Sequence, residues 1–205
     1  MLKLSEMEID VLTEIVNIGV GRAASSLSDI IGEHIQLKVP SVEVFPFEKL
    51  PEILSEFVNQ KHSSVFQGFR GDFSGTSALV FPPESAVRLV SVLTGGEEDS
   101  LSLDAVRSGT LVEIGNIVIN AILGTMGNML KSDFVFSLPE YREIENVTDI
   151  LSVDGSKKDK GYIMLAEANF YIRALEINGF IFIIFRLESI KSLIEMINRS
   201  LDGEL

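Results

Sequence analysis

The chain has 205 residues, 46% of them hydrophobic and 23% charged, enough to bury one sizeable core. Seventeen basic against thirty acidic residues give a net charge of −13, which argues against nucleic acid or a membrane surface as partner, because both need a basic face. With no cysteine, the sequence excludes disulfides, thiolate catalysis and Cys-ligated zinc.

The opening Met1-Leu2-Lys3-Leu4-Ser5-Glu6 lacks an apolar signal core. The longest apolar run, Phe180 to Phe185, is far too short to span a bilayer, so the expectation is a cytoplasmic protein. Ser5-Glu6-Met7-Glu8 is a capping-box pattern that predicts a helix running to about Ile31, with Gly32 as its stop. Alternation over Ile35 to Val39 predicts a strand. Val65 to Phe73 and Gly75 to Phe81 read as a hairpin, followed by an apolar helical pattern from Val87 to Leu93. Gly95 to Ser102 reads as the joint to a second long helix. Beyond it, Asp154 to Lys160 reads as a solvated turn, Tyr162 to Ala174 and Gly179 to Phe185 as strands, and Ile190 to Ile197 as a final helix. The strand Gly179 to Phe185 is so apolar that it should lie buried on both faces in the middle of a sheet.

The two halves of this series resemble each other. Glu14-Ile15-Val16-Asn17-Ile18 recurs as Glu113-Ile114-Gly115-Asn116-Ile117, and Pro40 meets Pro139 at the same offset of 99 (113 − 14). Farther on, Gly75, Phe81, Glu84 and Ser85 fall on Gly179, Phe185, Glu188 and Ser189 at an offset of 104 (179 − 75). The expectation is a single internally duplicated α+β domain over 1–205, with halves of about 1–98 and 99–205. Its two long helices should pack on a mixed or antiparallel sheet.

A helix turns about 100° per residue, so Asp10, Glu14, Asn17 and Gly21 share one face within about 60°. Leu12, Ile15, Gly19, Ala23, Ser26 and Ile30 share the other, and its small residues should let the helix sit close on a sheet. The second helix repeats the layout, with Gly109, Glu113, Asn116 and Asn120 opposite Leu111, Ile114, Val118, Ile122, Thr125 and Met129. A solvated face is the ordinary explanation of one such stripe. Two Glu-x-x-Asn pairs at matching places in diverged halves ask for another explanation. Asp10 and Glu14 have no histidine near them to complete a metal site, and His34 and His62 read as ordinary surface histidines.

Asp10, Glu14, Asn17 and Pro40 meet a pattern that the CheC, CheX and FliY phosphatases share: Asp or Ser, three residues, Glu, two residues, Asn, twenty-two residues, Pro. The second half has Glu113, Asn116 and Pro139 at the same spacings, but Gly109 stands where Asp or Ser is expected. The chain thus resembles the CheC phosphatase family along nearly its whole length, and two Glu/Asn pairs resemble CheC more than the shorter CheX. The resemblance implies hydrolysis of the aspartyl phosphate of a CheY-like response regulator. Asn17 and Asn116 would orient the attacking water, Glu14 and Glu113 would pair with the regulator's lysine, and Asp10 would add a docking contact. It implies no cofactor of the protein's own, since Mg²⁺ belongs to the regulator. Because CheC proteins also bind the deamidase CheD, CheD is a candidate partner, and a non-catalytic adaptor is the alternative function.

Overall fold

The computed structural model describes residues 4–55, 60–95, 103–152, 161–172 and 175–203. Helix α1 (Glu6–Ile31) begins as the sequence predicts. Ser5 accepts from the Glu8 backbone while the Glu8 carboxylate accepts from the Ser5 backbone N–H at 2.6 Å. It ends at Gly32, whose φ of 70° and N–H bond to Ser28 make a left-handed C-cap. Strands β1 (Ile35–Lys38) and β2 (Val42–Pro46) follow, with Pro40 between them. A 3₁₀ turn (Phe47–Lys49) and the short α2 (Leu50–Ile53) lead to the hairpin β3 (His62–Arg70) and β4 (Gly75–Phe81), and then to α3 (Pro83–Thr94).

The same order returns after the joint. Helix α4 (Leu103–Leu130) precedes β5 (Val135–Phe136) and β6 (Glu140–Ile144), with Pro139 between them. A 3₁₀ stretch (Val147–Ser152) leads to β7 (Gly161–Ile172), β8 (Leu175–Arg186) and α5 (Leu187–Leu201). Gly96 to Ser102 of the predicted joint and the predicted turn at Asp154 to Lys160 lie outside the described residues.

Every described strand pair is antiparallel, in the order β1-β7-β8-β4-β3-β5, with β2 also on β7 and β6 also on β3. Each half therefore hands its first two strands to the hairpin of the other. At the centre β4 pairs with β8, so that Gly75 lies opposite Phe185 and Val80 opposite Phe180. As its apolar sequence predicts, β8 is central and almost wholly buried over Gly179 to Phe185.

The sheet is covered on both faces. The larger core cluster lies between one face and helices α1, α3, α4 and α5. A second one, built on Phe45, Phe47, Leu50, Val147, Ile150 and Phe182, lies under α2 and the 3₁₀ turns. The core face of α1 is rotated from the expected one. Leu12, Ile15, Val16, Val20, Ala23 and Leu27 are buried, whereas Ser26 is exposed and Ile30 is 65% exposed. Ile30 lies on the outer side of the last turn, whose inner side keeps Leu27 buried and Ile31 packed against the core. Met129, near the end of α4, is likewise 36% exposed.

The small residues also act elsewhere than expected. A Cβ at Gly19 would stand 2.6 Å from the Ile122 Cα, so the close approach made by α1 is to α4 and not to the sheet. Gly115 of α4 makes the close approach to the sheet, where a Cβ would stand 2.5 Å from Cγ1 of Val65 on β3. His62 departs from the sequence reading too. It is 1% exposed, and burial lowers the pKa of its imidazole while the Gln60 carbonyl, 2.7 Å from Nδ1, works the other way. His34 lies at the surface as expected.

Helix α4 is a longer apolar stretch than the strand singled out in the sequence. Over Ala105–Leu130 it is long and apolar enough to cross a membrane by length and composition, with a mean hydropathy of 1.4. Half of its most apolar window is buried inside the fold, against α1 and the sheet.

Candidate functional site

The two polar stripes lie on the exposed sides of the two long helices. Asp10, Glu14, Asn17 and Gly21 are all exposed on α1, each within a turn of the next. Among the described residues, none of the side chains of Asp10, Glu14 and Asn17 takes part in a hydrogen bond or ion pair. A carboxylate and an amide one turn apart, both unengaged, can meet an incoming lysine and a water without first breaking an internal contact.

The second stripe differs in three ways. Glu113 is exposed and unengaged among the described residues, but Asn116 is half-buried and its Oδ1 accepts from Asn120 Nδ2 at 2.7 Å. The matching place on α1 is Gly21, which has no side chain to offer Asn17. Gly109 is exposed, and a Cβ there would meet nothing within 4 Å, so the missing acid is not the result of crowding. Ser108 does not replace it, because its hydroxyl donates back to the Ala105 carbonyl at 3.1 Å. Sequence reasoning placed Asn120 on the stripe but missed its hold on Asn116. The i, i+4 spacing was the available signal.

The helices bearing the stripes are fixed to each other. Besides the Gly19 contact, Arg22 Nη1 of α1 donates to Thr125 Oγ1 of α4 at 3.1 Å, and Thr125 donates to the Ala121 carbonyl at 2.7 Å. At the start of α1, burial by itself raises the pKa of the Glu8 carboxyl. Bonds from the Ser5 backbone and hydroxyl and from Asn198 of α5 outweigh it and hold the carboxyl below its ordinary range. No group of three or more acidic or histidine side chains placed to hold a metal ion occurs among the described residues.

Two family models match the chain, over successive stretches of it. The CheC-like family matches residues 7–44, which contain Asp10, Glu14, Asn17 and Pro40. The chemotaxis phosphatase CheX matches residues 63–157, which contain Glu113, Asn116 and Pro139. Over 140 residues the chain is 26% identical to the CheY-P phosphatase CheC of Bacillus subtilis, covering 67% of this chain and 66% of CheC. The chain is thus similar to the CheC-type phosphatases. A second relative from Bacillus subtilis, the flagellar motor switch phosphatase FliY, is 26% identical over 204 residues, which cover 98% of this chain and 52% of FliY. The chain thus spans between half and two thirds of the length of these relatives. The crystal structure of Thermotoga maritima FliY shares the fold with a TM-score of 0.75 at 20% identity, covering 97% of this chain and all of that one.

Proposed function

We propose that this protein is a CheC-type phosphatase that hydrolyses the aspartyl phosphate of a CheY-like response regulator. The observation that carries the reading is the exposed, unengaged Glu14/Asn17 pair, one turn apart on a helix locked to its neighbour. An acyl phosphate is already labile, so a catalyst gains most by holding water in line with the scissile bond. The Asn17 amide holds that water as both donor and acceptor, leaving a lone pair directed at phosphorus. The water oxygen forms the new bond to phosphorus, the bond from phosphorus to the regulator's aspartyl oxygen breaks, and the electron pair leaves with the carboxylate. A water proton passes to solvent or to the released phosphate.

Glu14 pairs with the regulator's lysine and sets the register, and Asp10 adds a docking contact. Glu113 and Asn116 do the same at the second site, without the acid that Gly109 lacks. The Mg²⁺ belongs to the regulator, which is the substrate, and the protein works in the cytoplasm. Approach of this acidic protein to an acidic regulator pocket is opposed by long-range repulsion and favoured by the local Glu–Lys pair, so the association depends on salt. We read the chain as one domain of two duplicated halves. The returning element order and the exchange of strands between hairpins support that reading.

The test is the decay of a phosphorylated CheY-like regulator with Mg²⁺, with and without the native protein, beside an Asn17→Ala/Asn116→Ala double variant. Acceleration by the native protein that a folded double variant lacks is the expected result. No acceleration with any cognate regulator would favour the adaptor, with CheD as the partner to seek.

A further inference from the structure

One turn before the acid position, each polar stripe is headed by an apolar residue. Met7 precedes Glu14 and Val106 precedes Glu113 by seven residues, a spacing that brings a helix back to within about 20° of the same line. Met7, Asp10, Glu14 and Asn17 therefore share one strip about 15 Å long, and Val106, Gly109, Glu113 and Asn116 share its counterpart. The two apolar residues stand at the same offset of 99 (106 − 7) that relates the stripes. Met7 is 61% exposed and Val106 is 39% exposed.

A single exposed apolar side chain is ordinary. Here, however, the next residue along each helix ties its turn to another element, so the exposure is not that of a fraying end. Glu8 is buried, its carboxylate bonded to Ser5 and, at 3.1 Å, to Asn198 of α5. Arg107 donates to Glu143 of β6 at 3.3 Å. Met7 and Val106 are thus held outward on anchored turns. The second stripe has lost its acid at Gly109 and kept its apolar head.

Their position says what would cover them. A standard interface takes about 800 Å² from each partner, a disc of radius about 16 Å. Met7 lies about 10 Å along the helix from Glu14, so a partner seated on Glu14 and Asn17 also covers Met7. Exposed ion pairs contribute little to affinity, and here an acidic protein meets an acidic pocket, so apolar burial has a place in the binding energy.

We propose that Met7 and Val106 are docking residues for the response regulator, each burying against an apolar patch beside its phosphorylation pocket. The identity of the partner rests on the phosphatase reading. Met7, the longer and more exposed of the two, makes the larger contact, and its flexible thioether can fit an irregular surface.

Steady-state dephosphorylation tests this, beside titration with a regulator carrying Mg²⁺ and beryllofluoride as a stable phosphoryl mimic. In an Asn116→Ala background, where the first site alone works, Met7→Gln should raise KM for the regulator about three- to tenfold and keep kcat. Met7→Leu, which retains the apolar area, should restore KM. Val106→Gln should act likewise but less strongly in an Asn17→Ala background, and Met7→Gln/Val106→Gln should weaken binding of the mimic. Hydrolysis with a KM that Met7→Gln leaves untouched would overturn this inference while the phosphatase reading stands. Binding of the mimic that the double glutamine variant weakens, without any hydrolysis, would support the docking role and sink the phosphatase reading instead. Absence of binding would overturn both. A rise in the second site's KM from Met7→Gln would mean an effect through the fold, and loss of self-association in place of regulator binding would mean a second copy as the occupant; either overturns the inference.

Discussion

Asn120 Nδ2 donates to Asn116 Oδ1 at 2.7 Å, while the Oδ1 of Asn120 is buried without a partner among the described residues. The two proposed water-holding amides therefore start from different states: Asn17 is unengaged, and Asn116 has one lone pair committed to its neighbour. Asn120→Ala should release it. In an Asn17→Ala background, which isolates the second site, this change should raise regulator dephosphorylation about fivefold, the worth of one neutral hydrogen bond. Stability should hold or rise, since alanine is the better helix former and removes an unsatisfied buried oxygen. An unchanged or lower rate in the phosphate-release assay would mean that the bond positions Asn116 productively.

The sites should also differ in weight. Asn17→Ala should remove more activity than Asn116→Ala, because the first site has its acid and an unengaged amide. Gly109→Asp supplies the missing carboxylate in open space and replaces a helical glycine. It should raise the rate of the Asn17→Ala protein without loss of stability. Equal losses from the two asparagine variants would show that the acid position contributes little.

Gly19 and Gly21 lie two residues apart and should respond oppositely to alanine. At Gly19 the new methyl meets the Ile122 backbone at 2.6 Å, which cannot rotate away, so the variant should lose about 1–3 kcal/mol by overpacking. At Gly21 nothing lies within 4 Å, and the variant should gain about 1 kcal/mol from helix propensity. Urea midpoints of the two variants beside the native protein decide it.

His62 makes stability depend on pH with a definite sign. Its pKa is lowered in the folded state below the ordinary value of 6.5, so the unfolded chain binds the proton more readily. Its contribution is complete above that value and is lost as pH falls through it toward the folded pKa. The native protein should therefore lose urea stability between about pH 7.5 and 5.5, above the range where ordinary carboxylates titrate. His62→Gln should show a shallower decline over the same interval, whatever its stability at the higher pH. Parallel declines would place the proton uptake elsewhere.

Much of this molecule was legible in its sequence where the information is local. The Ser5/Glu8 box and Gly32 fixed both ends of α1, because cap residues act on backbone groups within one turn. Period-two alternation marked β1 and an unbroken apolar run marked β8, and the density of the latter marked it as central. The i, i+4, i+7 spacing alone put Asp10, Glu14 and Asn17 on one exposed face.

Tertiary structure decided what depends on residues distant in the chain. The pattern of α1 did not reveal that Gly19 would meet Ile122 rather than a strand, since small residues permit close approach to any partner. His62 read as a surface residue because polarity is visible in sequence and enclosure is not. Arg70 and Arg186 lie 116 residues apart (186 − 70) and come to one cleft only because β8 pairs with β4. Helical geometry makes stripes and caps properties of the sequence. Side-by-side packing of distant segments decides which glycine is crowded, which histidine is enclosed and which arginines line one cleft.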